Sequence, residues 1–273
     1  GIGFINKLNG MFAIAINDSR DNSLHLIRDR MGKKPIWITQ IQDGSLFFAS
    51  EVRALLPLRP DRTLRTEMVA EVMQYGYINS PNSAFNEISQ VPPGSYLTWR
   101  NGGYEIAKYW EPDFDTKVSI SYDEALSVTK ELIEKAVDRR LISERPLGSF
   151  LSGGYDSTIV TAYMAKLMSE KVQTYSIGFH SAQFNEAHHA KKVSNYLGTN
   201  HHEEILNPDP VLLVETISKV LDQPFADSSM VPTYLLAKFA RENLIVALGG
   251  DGGDEVFGGY DRYLATPILQ RLN

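Results

Sequence analysis

The chain has 273 residues, 43% of them hydrophobic, with 27 Lys and Arg against 33 Asp and Glu for a formal charge of -6. Such a length can bury one large core or two ordinary ones, and an acidic balance without a basic, aromatic-laced stripe excludes a nucleic-acid groove. With no cysteine, disulfides, thiolate metal sites and a cysteine nucleophile are excluded from these residues, and no apolar run reaches the roughly 20 residues of a membrane span.

A cytoplasmic setting without a membrane partner is therefore expected. Gly1 in place of Met, and a helical-looking end at Arg271-Leu272-Asn273, read as cuts from a longer protein. Up to about residue 110 the chain reads as short strands joined by tight turns. Met11 to Ile16, Leu24 to Ile27, Ile36 to Ile41 and Leu46 to Ala49 form the first set, with turns at Asp18 to Asn22 and Gln42-Asp43-Gly44. A helix is predicted over Thr66 to Tyr75, then a hairpin pairing Ser95 to Trp99 with Tyr104 to Lys108 across Asn101-Gly102-Gly103. This half is expected to be mostly antiparallel sheet, and the charged run Arg28, Asp29, Arg30, Lys33, Lys34 reads as a solvated turn. The Pro-containing stretch from Trp110 to Lys117 reads as a linker.

The rhythm then changes. Ser121-Tyr122-Asp123-Glu124 has the form of a capping box and opens a helix with Ala125, Leu126, Val128, Leu132, Ile133, Ala136 and Val137 at helical spacing. Strands at Leu147 to Leu151, Val172 to Phe179, His202 to Leu206 and Leu244 to Leu248 then alternate with helices. Those helices are predicted at Thr158 to Met168, Asn185 to Leu197, Val211 to Val220 and Val231 to Glu242. Such alternation predicts an α/β domain, a parallel sheet covered on both faces.

Ligands of such sheets bind where strand ends run into helix N-termini. Two glycine-rich corners stand there: SGGYDS, Ser152 to Ser157, and GGDGGDE, Gly249 to Glu255. Gly153 and Gly154 let backbone amides approach an anion, with Ser152 and Ser157 as hydroxyl donors and the helix dipole behind them. No Gly-Lys-Ser/Thr follows, so this is not a Walker A loop. A carboxylate beside phosphate implies a cation between them, so Asp156 argues for Mg²⁺, with Asp254 of the second corner as its partner ligand. Each corner alone is as well explained by a turn or by dipole complementation; their joint occurrence favours a site. His188-His189 and His201-His202 lack any zinc-binding spacing, so zinc is not expected there.

The loop SGGYDS resembles the PP-loop of the ATP pyrophosphatases, and TYSIGFHSAQFNEAHHAKKVSNYLGTNHHEE, QPFADSSMVPTYLLAKFAR and ALGGDGGDEVFGGYDRY resemble the synthetase domain of glutamine-dependent asparagine synthetases. RDRMGKKPIW and LFFASEVRAL resemble the end of the amidotransferase domain of that family. The resemblance implies an incomplete αββα amidotransferase domain over residues 1–115, lacking the family's N-terminal cysteine, then a PP-loop synthetase domain over 116–273, incomplete at its C-terminus. It implies ATP and Mg²⁺ as cofactors, and aspartate, ATP and ammonia or glutamine as small-molecule substrates, and it admits a homodimer. Aspartate would be activated as β-aspartyl-AMP with release of pyrophosphate and then amidated, while the chain as it stands would not hydrolyse glutamine.

By the same resemblance Ser152, Gly153, Gly154 and Ser157 form the pyrophosphate clamp, and Asp156 with Asp254 hold the metal. Phe150, Leu151 and Ile177 lie where the adenosine packs, and Gly249 and Gly250 where backbone meets the nucleotide. Asp251 takes a position that some members fill with Glu, implicated in substrate binding or in taking a proton from ammonia. The stretch Ala226 to Tyr234 matches the amino-acid pocket. Two other readings stay open: the same adenylating chemistry on another carboxylate, as in β-lactam synthetases or enzymes that amidate sugars or peptides, and an inactive nucleotide-binding fragment.

Overall fold

The apolar and turn-rich pattern of the first part of the chain is realised as antiparallel pairing in a computed structural model, which describes residues 2–180, 187–207 and 209–265. Seven strands form here: β1 (Ala13–Asp18), β2 (Ser23–Arg28), β3 (Trp37–Gln40), β4 (Leu46–Ala49), β5 (Ser89–Gln90), β6 (Ser95–Arg100) and β7 (Gly103–Lys108). They make two sheets, ordered β1-β2-β6-β7 and β4-β3-β5. Leu26 of β2 and Leu97 of β6 share one buried cluster with Ile36, Ile38 and Val91, which joins the sheets face to face. Successive strand side chains point to opposite faces. Trp37 therefore turns away from Ile38 into a second cluster with Val52, Leu55 and Ile88. With both faces covered, Trp37 to Thr39 have no solvent side and are all buried.

The β6–β7 hairpin closes across Asn101 (φ 53°) and Gly102 (φ 78°), two left-handed residues as the Asn-Gly pair predicts. Arg28 and Asp29 are a correction to the solvated-turn expectation, being 6% and 1% exposed, whereas Lys33 and Lys34 of the same run are exposed. The Asp29 carboxylate accepts from the amides of Phe12, Lys33 and Lys34 at 3.3, 3.0 and 2.9 Å. Arg28 donates to the carbonyls of Val91 and Gly32 at 2.8 and 2.6 Å. Asp29 turns inward because the neighbouring backbone donors need an acceptor and its carboxylate supplies it.

The chain divides into two compact units, Gly1–Lys117 with Glu215–Ser228, and Val118–Val214 with Ser229–Asn273. The first thus includes a segment from far along the sequence. The Asp222 carboxylate accepts from the amides of Val52 and Arg53, and Gln223 Oε1 accepts from Ala84 N at 2.8 Å. Ala226 N donates to Gly76 O at 2.8 Å. Gly76 (φ 84°) ends helix α1 (Glu67–Tyr75) in the left-handed conformation that suits glycine.

In the second unit, helix α2 (Tyr122–Asp138) starts at Ser121, whose Oγ accepts from Glu124 N at 3.2 Å, the predicted cap. Strands β8 (Leu147–Phe150), β9 (Gln173–Phe179), β10 (Asn200–Leu206) and β11 (Val246–Leu248) follow, with helices α3 (Tyr155–Leu167), α4 (Ala187–Leu197), α5 (Pro210–Val220), α6 (Met230–Ala240) and α7 (Gly253–Phe257). The sheet is parallel throughout and ordered β10-β9-β8-β11. One face packs Val137, Met164, Val172 and Leu248, bringing in α2 and α3. The other packs Tyr175, Ala240 and Leu244 with Phe150, Leu236 and Phe239, bringing in α6. The predicted start of the fourth helix, at Asn185 and Glu186, and residues 181–186 of the longer motif that begins at Thr174 lie outside the described residues.

Candidate functional site

Strand order decides where a ligand can enter. From β8 the chain steps outward to β9 and β10, then returns to place β11 on the other side of β8. The order reverses beside β8, and the crevice at such a reversal, outside the carboxyl ends of the strands, is where parallel sheets bind ligands. Both glycine-rich corners open there: Ser152–Ser157 follows β8 and Gly249–Glu255 follows β11.

The first corner is tighter than its sequence suggests. Helix α3 begins at Tyr155 rather than the predicted Thr158, with Gly154 as its N-cap, so Asp156 and Ser157 lie in its first turn. Gly, Asp and Ser are poor helix formers, which delays the sequence reading, but all three suit a helix N-terminus. Gly153 has φ 85°, and a Cβ there would lie 2.7 Å from Ala190 N and His189 C, so α4 closes against the loop. The hydroxyls of Ser152 and Ser157 are 3.0 Å apart. Ser157 Oγ also accepts from Ser152 N at 3.3 Å and donates to Gly154 O at 3.3 Å. Gly154 N donates to Ser152 Oγ at 3.2 Å. Ser157 is 8% exposed and spends its hydroxyl inside the loop, whereas Ser152 is exposed. Leu151 is buried and donates its amide to Tyr175 O at 2.9 Å. Phe150 packs on the α6 face of the sheet with Tyr175, and Ile177, two residues on along β9, projects to that same face.

The second corner touches the first. A Cβ on Gly250 would stand 2.7 Å from both Asp156 Cβ and Ser157 N, so only glycine lets this backbone lie on the first turn of α3. The Asp156 carboxylate rests directly against Gly253, the first residue of α7. Gly252 (φ 95°) turns the chain into that helix. Asp251 is exposed on the turn and folds its carboxylate back over Gly249, with Oδ2 3.1 Å from where a Cβ on Gly249 would lie. Asp254 lies against Gly259, whose amide donates to Asp254 O at 2.9 Å.

Burial, then the negative charges of Asp254 and Glu255, push the Asp156 carboxyl above its usual range. The acids of the two corners are therefore within electrostatic reach of one another. Glu255 has no role in the sequence reading beyond closing the GGDGGDE corner, yet it adds to the charge on Asp156 and accepts from the Tyr260 hydroxyl at 2.9 Å. Asp251 is not among the groups that shift Asp156. The seat that Gly253 provides for Asp156 was foreshadowed only by the doubled glycine pair in GGDGG.

Among the described residues no three or more His, Asp or Glu side chains converge as a metal cluster. A cation would be held by the Asp156 and Asp254 carboxylates, neither of which carries a salt bridge among the described residues. Two mutually repelling acids without a cationic partner fit a divalent ion that keeps phosphate oxygens in its remaining positions. Of the two histidine pairs one packs: His201 lies 3.0 Å from Thr174 Oγ1 and 3.2 Å from Ser176 Oγ, and His202 stacks on Tyr175 at 4.6 Å between ring centroids, whereas His188 and His189 are exposed with their rings 3.8 Å apart. Residues 226–234 are divided between the two units after Ser228. No helix among the described residues is long and apolar enough to cross a membrane.

Comparison with known proteins identifies the family. Residues 129–273 match the asparagine synthase family and residues 1–110 match a glutamine amidotransferase domain. The chain is 33% identical over 261 residues to glutamine-hydrolysing asparagine synthetase 1 of Bacillus subtilis, covering 94% of this chain and 40% of that protein. It is 31% identical over 277 residues to asparagine synthetase 3 of the same organism, covering 94% and 44%. It thus spans less than half the length of these curated relatives. A solved NH3-dependent NAD synthetase from Campylobacter jejuni aligns with 52% of this chain and 61% of its own, at 16% identity and a TM-score of 0.33. With corners that meet at the sheet's reversal point and a family match over more than half its length, the chain belongs to the asparagine synthase family.

Proposed function

We propose that this chain carries the adenylating site of an ATP-dependent amide ligase whose acceptor is the side-chain carboxylate of aspartate. The observation that carries the reading is the contact of the two corners, Gly250 on Ser157 and Gly253 on Asp156, at the strand-order reversal. The glycine amides, the exposed Ser152 hydroxyl and the positive end of α3 suit the pyrophosphate tail of ATP. The absence of a P-loop lysine fits attack at the α-phosphorus, with the tail departing rather than a γ-phosphoryl being transferred. Mg²⁺ held by Asp156 and Asp254 would neutralise phosphate charge.

In the proposed reaction a carboxylate oxygen attacks the α-phosphorus, the bond to the bridging oxygen breaks, and pyrophosphate leaves with the electron pair. The product is β-aspartyl-AMP. Ammonia then attacks the acyl carbon, AMP departs, and the nitrogen gives up a proton. Asp251, exposed above the second corner, is the proposed acceptor of that proton. Phe150 and Ile177 share the face proposed for the adenosine, and Leu151 seats the loop between them. The contribution of the protein is positioning and charge neutralisation. Glutamine hydrolysis through a thiol is not a reaction these cysteine-free residues perform, so ammonia is the proposed nitrogen donor.

Incubation of the chain with ATP, Mg²⁺, aspartate and ammonium should yield AMP, pyrophosphate and asparagine in equal amounts by mass spectrometry. ADP and orthophosphate instead would refute attack at the α-phosphorus. AMP formed only with another carboxylate would move the acceptor elsewhere and leave the adenylation chemistry in place.

A further inference from the structure

Beneath the Ser152 and Ser157 hydroxyls lies a second pair that no solvent reaches. Ser149 of β8 and Thr161 of α3 are each 0% exposed, with their hydroxyls 2.9 Å apart. Thr161 Oγ1 also lies 2.7 Å from Ser157 O. Proton counting orders this set. A carbonyl can only accept, so the one hydroxyl proton of Thr161 goes to Ser157 O, and Ser149 must donate to Thr161. Ser149 has one other acceptor in reach, its neighbour's carbonyl Phe150 O, at a poorer 3.4 Å. On the outer side the proton of Ser157 has Gly154 O as acceptor, and Ser157 Oγ in turn receives the amide of Ser152. The Ser152 hydroxyl, exposed, is then the member of the set whose proton can swing from Ser157 to an incoming anion.

A threonine bonded to the carbonyl one turn back is common in helices and by itself says little. Here the same hydroxyl receives a buried serine from the neighbouring strand, so the first turn of α3 is pinned to the interior of β8 where the loop opens. We infer that Thr161, backed by Ser149, is a positioning residue that sets the Ser152–Ser157 pair for phosphate. This rests on the nucleotide reading given above. Removal of the hydroxyl leaves Ser149 without its good acceptor and the first turn of α3 without its side-chain tie to β8, a buried defect at a place where a shift of about 1 Å matters up to about 100-fold.

The test is calorimetric titration of the chain with Mg²⁺-ATP and with Mg²⁺-pyrophosphate, for the unaltered protein, Thr161→Val and Thr161→Ser. The expected result is about tenfold weaker binding of both ligands by Thr161→Val, affinity restored within about twofold by Thr161→Ser, and faster hydrogen exchange at the Gly154 amide in the valine variant alone. Equal affinity of Thr161→Val and the unaltered chain would overturn the assignment, as would equal weakening by both variants, which points to packing. Should Thr161→Val not fold, Ser149→Ala takes its place: a loss of about threefold supports the inference and unchanged affinity overturns it. Absence of binding by the unaltered chain would overturn the nucleotide reading itself, and this inference with it.

Discussion

Substitution of Gly250 by alanine tests the contact on which the site depends. Its Cβ would stand 2.7 Å from Asp156 Cβ and Ser157 N and 2.9 Å from Asp156 C. None of these atoms is the end of a flexible side chain, so the strain cannot be relieved by a rotamer change. Ordinary contact begins at 3.4 Å, and a Cβ at 2.7 Å must retreat that far, so the corners part by about 0.7 Å. Overpacking of this kind costs about 1–3 kcal/mol, or a fall in melting temperature of roughly 3–10 °C for a unit of this size. The same displacement, judged against the ~100-fold cost of a 1 Å error in a reacting geometry, should lower adenylation between about tenfold and 100-fold. Thermal melting and pyrophosphate release measure the two effects separately. A Gly250→Ala protein with unchanged melting and unchanged pyrophosphate release would refute the claim that the corners touch.

Three further outcomes follow from named groups. Asp156→Asn removes a carboxylate that burial, Asp254 and Glu255 disfavour in its charged form; stability tied to that group is present at low pH and lost as pH rises through its raised folded pKa. At neutral pH without divalent ions the variant should therefore melt no earlier than the unaltered chain, whereas the unaltered chain alone should gain about 2.7 kcal/mol in Mg²⁺ at 100 times its dissociation constant; a Mg²⁺-induced shift in both would remove Asp156 from the metal. His201 has its pKa lowered below 6.5, chiefly by burial and then by Lys191. Its contribution is whole above that pH and declines as pH falls through 6.5 toward the lowered folded value, because the unfolded state binds the proton first; urea midpoints of the unaltered chain and His201→Gln should converge as pH falls in that window, and parallel curves would contradict this. Asp222→Ala leaves the amides of Val52 and Arg53 without their acceptor. It should cost about 1–3 kcal/mol in urea unfolding, and a loss below a few tenths would show that water replaces the carboxylate.

Sequence signals were most legible where local chemistry has one solution. Ser121 before Asp123-Glu124 marked a cap that forms, and Asn101-Gly102 marked a turn whose two positive φ values require those residues. The parallel sheet was legible from alternating periods, and the two corners from their glycines. What stayed hidden depended on partners distant in sequence. The two-residue strand β5 has no period to detect and exists because β3 offers it an edge. Asp29 looks like one charge in a basic turn until three amides converge on it. Beyond its place in a doubled glycine pair, Gly253 does not reveal that a carboxylate about 100 residues earlier lies upon it, and the start of α3 was obscured by residues chosen for the N-terminus rather than for helix propensity.

Because Glu215–Ser228 is built into the first unit, the polypeptide passes from one unit to the other three times, after Lys117, Val214 and Ser228. Inheritance and folding thus draw different borders, since the amidotransferase match stops at residue 110 while Asp222 and Gln223, within the synthase match, complete that unit's hydrogen bonds. An excised fragment ending at the evolutionary border would leave with three bare amides, at Val52, Arg53 and Ala84. A protease nick at Phe114, 76% exposed, would sever one thread of three and leave the pieces tied.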